Sequence, residues 1–177
     1  MGSKPACCRE IVAACGRPSP HVLRLRLADV RLDVRSNSPD VIAALAAHYR
    51  DFPGDGGLAD LEIAVVDGPP PDFLLPFAVR AQAGDEAKEA FCDLPDGRVV
   101  RKRRTGLWLV FGQGGQAILG PCRAHVDQVI NGLNARFMER ILERGALLFH
   151  AAAVAVGEAG LAIAGFAGAG KSTLALE

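Results

Sequence analysis

The stretch that most constrains this chain is GFAGAGKS, which runs from Gly165 to Ser172. It matches the phosphate-binding pattern G-x-x-x-x-G-K-[ST] at every fixed position. The flanking residues fit as well, because the apolar residues 161–164 predict a strand and the residues from Lys171 onward predict a helix. A glycine-rich turn that only caps a helix is the alternative, but it does not require all of these fixed positions. The sequence therefore predicts a strand–loop–helix unit that binds phosphate groups.

The chemistry of phosphate binding explains why these residue types occur in the loop. Glycines allow backbone N–H groups to turn toward a phosphate and approach it closely. Lys171 is expected to reach the β- and γ-phosphates of ATP, and the hydroxyl of Ser172 is expected to be a ligand of Mg²⁺. The residues predicted to contact the nucleotide are Gly165, Gly168, Ala169, Gly170, Lys171, Ser172 and Thr173.

The acidic residues that normally accompany such a loop do not follow it in this sequence. Mg²⁺ takes six ligands, and nucleotide sites usually draw an acidic one from a later strand. After Thr173 the only acidic residue is Glu177, which lies on the same predicted helix. We therefore expect residues 146–177 to be the beginning of a nucleotide-binding domain in a longer protein.

The segment FHAAAVAV…GLAIAGFAGAGKSTLALE resembles the HPr kinase/phosphorylase group and the HPr-kinase-related kinases. His150 stands where that family has its active-site histidine, one strand before the phosphate loop. The resemblance implies ATP-dependent phosphorylation of a protein serine or a related hydroxyl, with acidic catalytic residues further along. Thr173 replaces the glutamate usual in the best-known members, which favours the related-kinase branch. The resemblance covers residues 146–177 and does not extend to residues 1–145.

Three alternatives stay open at the level of sequence. A histidine within an apolar strand is most often a hydrogen-bonded core residue, so His150 need not be catalytic. The letters GAGKSTL also occur in transporter-type ATPases, in which His150 would have no role. A third reading is a non-catalytic module that senses nucleotide by binding it without turnover.

The rest of the chain predicts a separate module. Residues 1–20 contain proline, cysteine and glycine and are expected to be loosely ordered. Residues 21–145 predict a mixed antiparallel α+β module whose role the sequence does not indicate. The predicted fold class is therefore α/β, with a mixed α+β module followed by the start of a P-loop nucleotide-binding domain of the HPr-kinase type.

Periodicity places the elements of this module. Alternating apolar and polar residues predict two strands that meet near residues 28–29, and Ser38 with Pro39 predicts the start of a helix that runs to about Tyr49. Further strands are expected at LEIAVVDG and over residues 98–104, 107–111 and 116–119. An apolar stripe with helical spacing predicts a long helix from about Val126 that ends at Gly145.

The densest charge cluster is formed by Arg98, Arg101, Lys102, Arg103 and Arg104. Charges of this kind keep a solvated edge strand from pairing with another chain, and this interpretation is preferred. The alternative is that the cluster docks an acidic partner or a phosphate group.

Composition narrows the class of protein. The 177 residues carry 20 Lys and Arg against 20 Asp and Glu, so net charge gives no argument for nucleic acid or for an anionic membrane. The apolar runs are too short for a membrane span, and the odd count of five cysteines fits reduced thiols. We expect a cytoplasmic protein whose partners are ATP and a protein substrate, and a homo-oligomer stays open.

Overall fold

The computed structural model describes residues 5–16, 19–79 and 87–176. The chain divides into two compact units, Met1–Phe137 and Met138–Glu177. The α/β class is confirmed, since the described residues combine helices with a seven-stranded mixed sheet and a two-stranded sheet. The helices are α1 (Cys8–Cys15), α2 (Pro39–His48), α3 (Val126–Glu143) and α4 (Lys171–Leu176). The strands are β1 (His21–Leu27), β2 (Val30–Ser36), β3 (Leu61–Asp67), β4 (Glu89–Leu94), β5 (Gly97–Lys102), β6 (Trp108–Gly112), β7 (Gly115–Gly120), β8 (Ala151–Val156) and β9 (Ala159–Ala164).

The large sheet has the strand order β1-β2-β3-β7-β6-β5-β4. Its neighbours pair antiparallel except at β2–β3 and β3–β7, which are parallel. The antiparallel module predicted from the sequence is therefore only partly right. Parallel neighbours need a crossover, and the crossover from β2 to β3 contains α2.

The helix α2 begins and ends where its sequence predicts. The Ser38 side chain accepts a hydrogen bond from the backbone N–H of Val41 at 3.4 Å, and Pro39 occupies the first turn, where no intrahelical donor is needed. Val41 and Leu45, four residues apart, are buried on one side of the helix. The helix is held to α3 by a 2.8 Å hydrogen bond from the Tyr49 hydroxyl to Oδ1 of Asn134.

Helices cover both faces of the large sheet. A Cβ atom added at Gly132 of α3 would lie 2.8 Å from Cδ1 of Ile118 and 3.2 Å from Cδ2 of Leu109, so α3 approaches these strands closely. The neighbouring residues Trp108 and Leu119 instead pack with Ile11 of α1. Because side chains alternate between the faces of a strand, α1 and α3 lie on opposite faces.

The helix α1 lies in a segment that we expected to be loosely ordered. Cys8 and Ile11 are fully buried and belong to the core cluster around Trp108, so tertiary packing stabilises a helix that local sequence does not indicate. The proline-containing loop after β3 covers the same cluster, with the ring centroid of Phe77 lying 5.0 Å from that of Trp108. The expectation of loose order was wrong for residues 8–15.

Three residues of the basic run, Arg98, Arg101 and Lys102, lie on the interior strand β5, and Arg103 and Arg104 lie in the turn that follows it. β5 pairs with β6 on one side and with β4, a strand that we did not predict, on the other. The preferred interpretation of this run as a solvated edge strand is therefore wrong. Several of its charges are paired, since Arg98 donates to Asp93 at 2.5 Å and Lys102 forms an ion pair with Glu89. In the described part of the chain, no helix is both long enough and apolar enough to cross a membrane.

Candidate functional site

The predicted phosphate loop follows a β-hairpin. β8 and β9 pair antiparallel from Ala151↔Ala164 to Val156↔Ala159, which leaves a two-residue turn at Gly157 and Glu158. Gly157 has a φ of +59°, and glycine is favoured at the first central position of a type II′ hairpin turn.

Nearly continuous apolar segments such as β8 and β9 are typical of strands buried on both faces, as in the centre of an α/β sheet. In the described residues they are instead paired only with each other and largely exposed, with Val156 at 83% and Leu161 at 62% of full exposure. The short turn explains the antiparallel pairing, because two residues cannot form a parallel crossover.

Two glycines determine the backbone path of the loop. Gly168 and Gly170 have φ values of +79° and +77°, in the left-handed region that other residues adopt only with strain. The loop is closed by a 3.2 Å hydrogen bond from the Ala169 N–H to the Phe166 carbonyl. The first turn of α4 begins at once, with the Leu174 N–H donating to the Gly170 carbonyl at 2.9 Å. The glycine spacing of the motif therefore has a conformational basis in this chain.

Lys171 folds back over the loop that precedes it. Its Nζ donates to the carbonyl oxygens of Gly165 and Phe166, at 3.0 and 2.9 Å. Both partners are neutral, and no carboxylate of the described residues lies at ion-pair distance from this ammonium group. An ammonium group carries three donors, so a third donor stays available for an anionic ligand.

His150 and the loop border one cavity. The cavity measures about 440 Å³ and is lined by the side chains or backbone of His150, Ala151, Ala152, Ala167, Gly168, Ala169, Gly170, Lys171, Ser172 and Thr173. His150 lies directly before β8 and is exposed in the described part of the chain, which does not support its interpretation as a buried core residue. Ser172 and Thr173 are also exposed. The structure thus brings together His150 and Lys171, which lie 21 residues apart in the sequence.

Three lining residues were not predicted. Ala151, Ala152 and Ala167 have small side chains, which leave the space between His150 and the loop open. In the sequence, the run of alanines directly after His150 could have indicated them. Hydrophobic periodicity predicts only that this run forms a strand and does not indicate that it lines a cavity. Of the predicted nucleotide contacts, Gly165 does not line this cavity, although its carbonyl holds Lys171.

The protein groups present could supply only a small part of a magnesium site. Mg²⁺ prefers six oxygen ligands and usually keeps several waters. The Ser172 hydroxyl borders the cavity and would contribute one oxygen, but none of the described residues that line the cavity carries a carboxylate. Across residues 5–16, 19–79 and 87–176, no three His, Cys, Asp or Glu side chains are grouped to hold a metal ion. Ser172 thus fits a metal that is held mainly by nucleotide phosphates and water.

No protein-family model, curated protein or solved structure matches the chain. The resemblance to the HPr-kinase-related kinases therefore stays a prediction, which depends on residues 146–177 alone. The observations that bear on function are those of the loop, of Lys171 and of His150.

Proposed function

We propose that this chain binds ATP with Mg²⁺ through residues 165–173 and belongs to a kinase related to HPr kinase/phosphorylase. The phosphoryl acceptor in this proposal is the hydroxyl of a protein serine or a related group. One observation carries the proposal: Lys171 and His150 border the same cavity, together with the hydroxyl side chains of Ser172 and Thr173.

The charges of the loop favour a phosphate ligand. The Lys171 ammonium is held by two neutral carbonyls, so a phosphate oxygen gains a charge-assisted hydrogen bond by contacting it. The left-handed glycines at 168 and 170 leave the loop without side chains where a ligand must approach the backbone. Ser172 would contribute one oxygen ligand to Mg²⁺. A bound Mg²⁺ ion would neutralise part of the negative charge of the phosphates.

His150 supports transfer rather than binding alone. An exposed imidazole at the edge of the cavity can hold or donate a proton beside a phosphate group. It makes no contribution to a hydrophobic core, so its position is compatible with a role in chemistry. We infer that His150 acts on the phosphoryl group or its acceptor in the reaction.

One observation favours a second candidate, a nucleotide-sensing module. Within residues 5–16, 19–79 and 87–176, no carboxylate lines the cavity. Kinases commonly use a carboxylate as base and another for the metal. A site with a lysine, hydroxyls and a histidine but no carboxylate is suited to binding ATP without turning it over.

Calorimetric titration of the chain with ATP and Mg²⁺ tests the shared basis of both candidates. Lys171→Ala should weaken ATP binding by at least about tenfold, because a charge-assisted contact to phosphate is lost. Arg50→Ala is the matched control, since the Arg50 side chain is 80% exposed and lies outside the loop. Equal ATP affinities for the two variants would contradict the phosphate-loop assignment.

Turnover separates the two candidates. Transfer of labelled phosphate from ATP to a serine-containing protein acceptor, abolished in Lys171→Ala, supports the kinase. Saturable ATP binding with no transfer and no hydrolysis supports the sensing module.

A further inference from the structure

We propose that a second cavity, remote in sequence from the phosphate loop, binds a small tetrahedral oxyanion, either inorganic phosphate or the phosphoryl group of a small metabolite. The cavity measures about 250 Å³ and lies between the β4–β5 hairpin and the first turn of α3. We call it the hairpin cavity. Its lining residues are Lys88, Glu89, Lys102, Arg104, Thr105 and Gln128.

Cations outnumber carboxylates among the described residues that line the hairpin cavity. Lys88, Lys102 and Arg104 contribute three cations, and Glu89 contributes one carboxylate. Asp127 lies beside the cavity, where its Oδ2 accepts a 2.8 Å hydrogen bond from Nε2 of Gln128. Among the described residues Arg104 forms no ion pair, so its guanidinium charge is open to an anion in the cavity.

Two side chains of the hairpin cavity have hydrogen-bond donors that could bind an anion. The Lys102 side chain is only 18% exposed, and its ammonium group uses one of three donors on Glu89, its cross-strand partner. The Gln128 amide uses one of its two donors on Asp127. A half-buried ammonium interacts more strongly with an anion than an exposed one does.

The hydroxyl of Thr105 is a further group that could bind a ligand oxygen. Its Oγ1 is buried and has no hydrogen-bond partner among the described residues, although Thr105 lines the cavity. A buried hydroxyl without a partner is unfavourable, and native proteins contain few of them. Thr105 lies in the turn between β5 and β6, which is fixed by the 2.9 Å hydrogen bond from the Gly106 N–H to the Lys102 carbonyl. An oxyanion in the cavity would satisfy this hydroxyl.

The size of the cavity favours a compact ligand over a macromolecule. A space of about 250 Å³ is below the range typical of drug-sized ligands, whereas a phosphate group needs only a few converging donors. This site is independent of the proposed ATP site, because none of its residues lies in residues 138–177.

The test is a titration of the ¹⁵N-labelled chain with inorganic phosphate, followed by two-dimensional NMR at constant ionic strength. The Lys171→Ala background removes phosphate binding at the loop. We expect saturable shifts at the amides of Thr105 and Gln128. Glycerol phosphate in a parallel titration distinguishes the sources: tighter binding than phosphate supports a metabolite, and weaker binding supports the free ion. Absence of saturable shifts with both ligands would overturn the proposal.

Substitutions test whether the side chains that line the hairpin cavity are responsible for phosphate binding. Arg104→Ala should weaken phosphate binding by about tenfold, and Thr105→Val, which keeps the shape of the side chain, should weaken it several-fold. Arg98→Ala is the control, because Arg98 removes the same charge from the same hairpin but is paired with Asp93 and does not line the cavity. Equal affinities for Arg98→Ala and Arg104→Ala would show that only overall charge matters and would also overturn the proposal.

Discussion

The carboxylate of Asp96 caps a helix that begins 88 residues earlier, at Cys8. Its Oδ1 accepts a hydrogen bond from the Cys8 N–H at 2.7 Å, and its Oδ2 accepts one from the Arg9 N–H at 3.1 Å. The residue at the local N-cap position, Cys7, provides no side-chain cap. The turn between β4 and β5 therefore supplies what the sequence of α1 lacks.

Removing this carboxylate should destabilise the protein. We expect Asp96→Ala to lower the free energy of unfolding by about 1 kcal/mol, the usual cost of losing a helix cap. Urea unfolding measures the loss, and hydrogen exchange should show faster opening of α1. Asp51→Ala is the control, because the Asp51 side chain is 76% exposed and pairs only with the neighbouring Arg50. Unchanged exchange in α1 would contradict the capping role.

The same cap should respond to pH. Burial raises the pKa of Asp96, but the hydrogen bonds from Cys8 and Arg9 outweigh it, and the pKa lies below its ordinary value of 3.8. A carboxyl group with a lowered pKa contributes stability that is present above the unfolded pKa and is lost as pH falls through the folded pKa. The stability difference between the natural protein and Asp96→Asn should therefore shrink between about pH 5 and about pH 2. A difference that stays constant over this range would exclude the linkage.

Substitution of His150 should distinguish an effect on the phosphoryl-transfer rate from an effect on stability. Because His150 is exposed, His150→Ala should leave the melting temperature unchanged. If the chain supports phosphoryl transfer, the same variant should reduce transfer by about 10²-fold, as expected for a group that moves a proton. Both quantities are measured on one sample, with His48→Ala as a control outside the cavity. Normal transfer in His150→Ala would remove the catalytic role.

The apolar surface of Met138–Glu177 should promote self-association or dye binding. Leu147, Phe149 and Phe166 are 77%, 69% and 90% exposed, which is unusual for side chains of this size. We expect Phe149→Ser to lower the binding of a hydrophobic fluorescent dye and to reduce aggregation seen by sedimentation. Phe52→Ser, at 46% exposure in the other unit, is the control. An equal effect of the two substitutions would contradict this prediction.

Local patterns predicted the elements that are stabilised locally. The cap and proline at Ser38 and Pro39 fix α2, and a long apolar stripe fixes α3, so both helices were found within a few residues of their observed bounds. In the predicted phosphate loop, the motif places glycines at Gly168 and Gly170, where the backbone has positive φ values. In each case the decisive interaction lies within a few residues of the sequence that carries it.

Elements that depend on distant residues were missed. α1 depends on Asp96 and on the core around Trp108, neither of which its own sequence reveals. β4 has little apolar alternation and is defined by its pairing with β5, which in turn changed the interpretation of the basic run. For the site, the sequence could name His150 and Lys171, but only the hairpin turn at Gly157 and Glu158 shows how both reach one cavity.

The parallel pairing of β3 with β7 has a consequence for the rate at which the chain folds. Ala64 pairs with Ala117, so this contact closes a loop of more than fifty residues, whereas β1–β2 and the β4–β5–β6–β7 meander join strands that are adjacent along the chain. Closing a long loop costs conformational entropy before the new contact contributes stabilising free energy. Local hairpins therefore form early and pairings between distant strands form late. We therefore expect two preformed sub-sheets to meet at β3 and β7 in the slow step of folding. The centre of the finished sheet would then be the last part of it to appear.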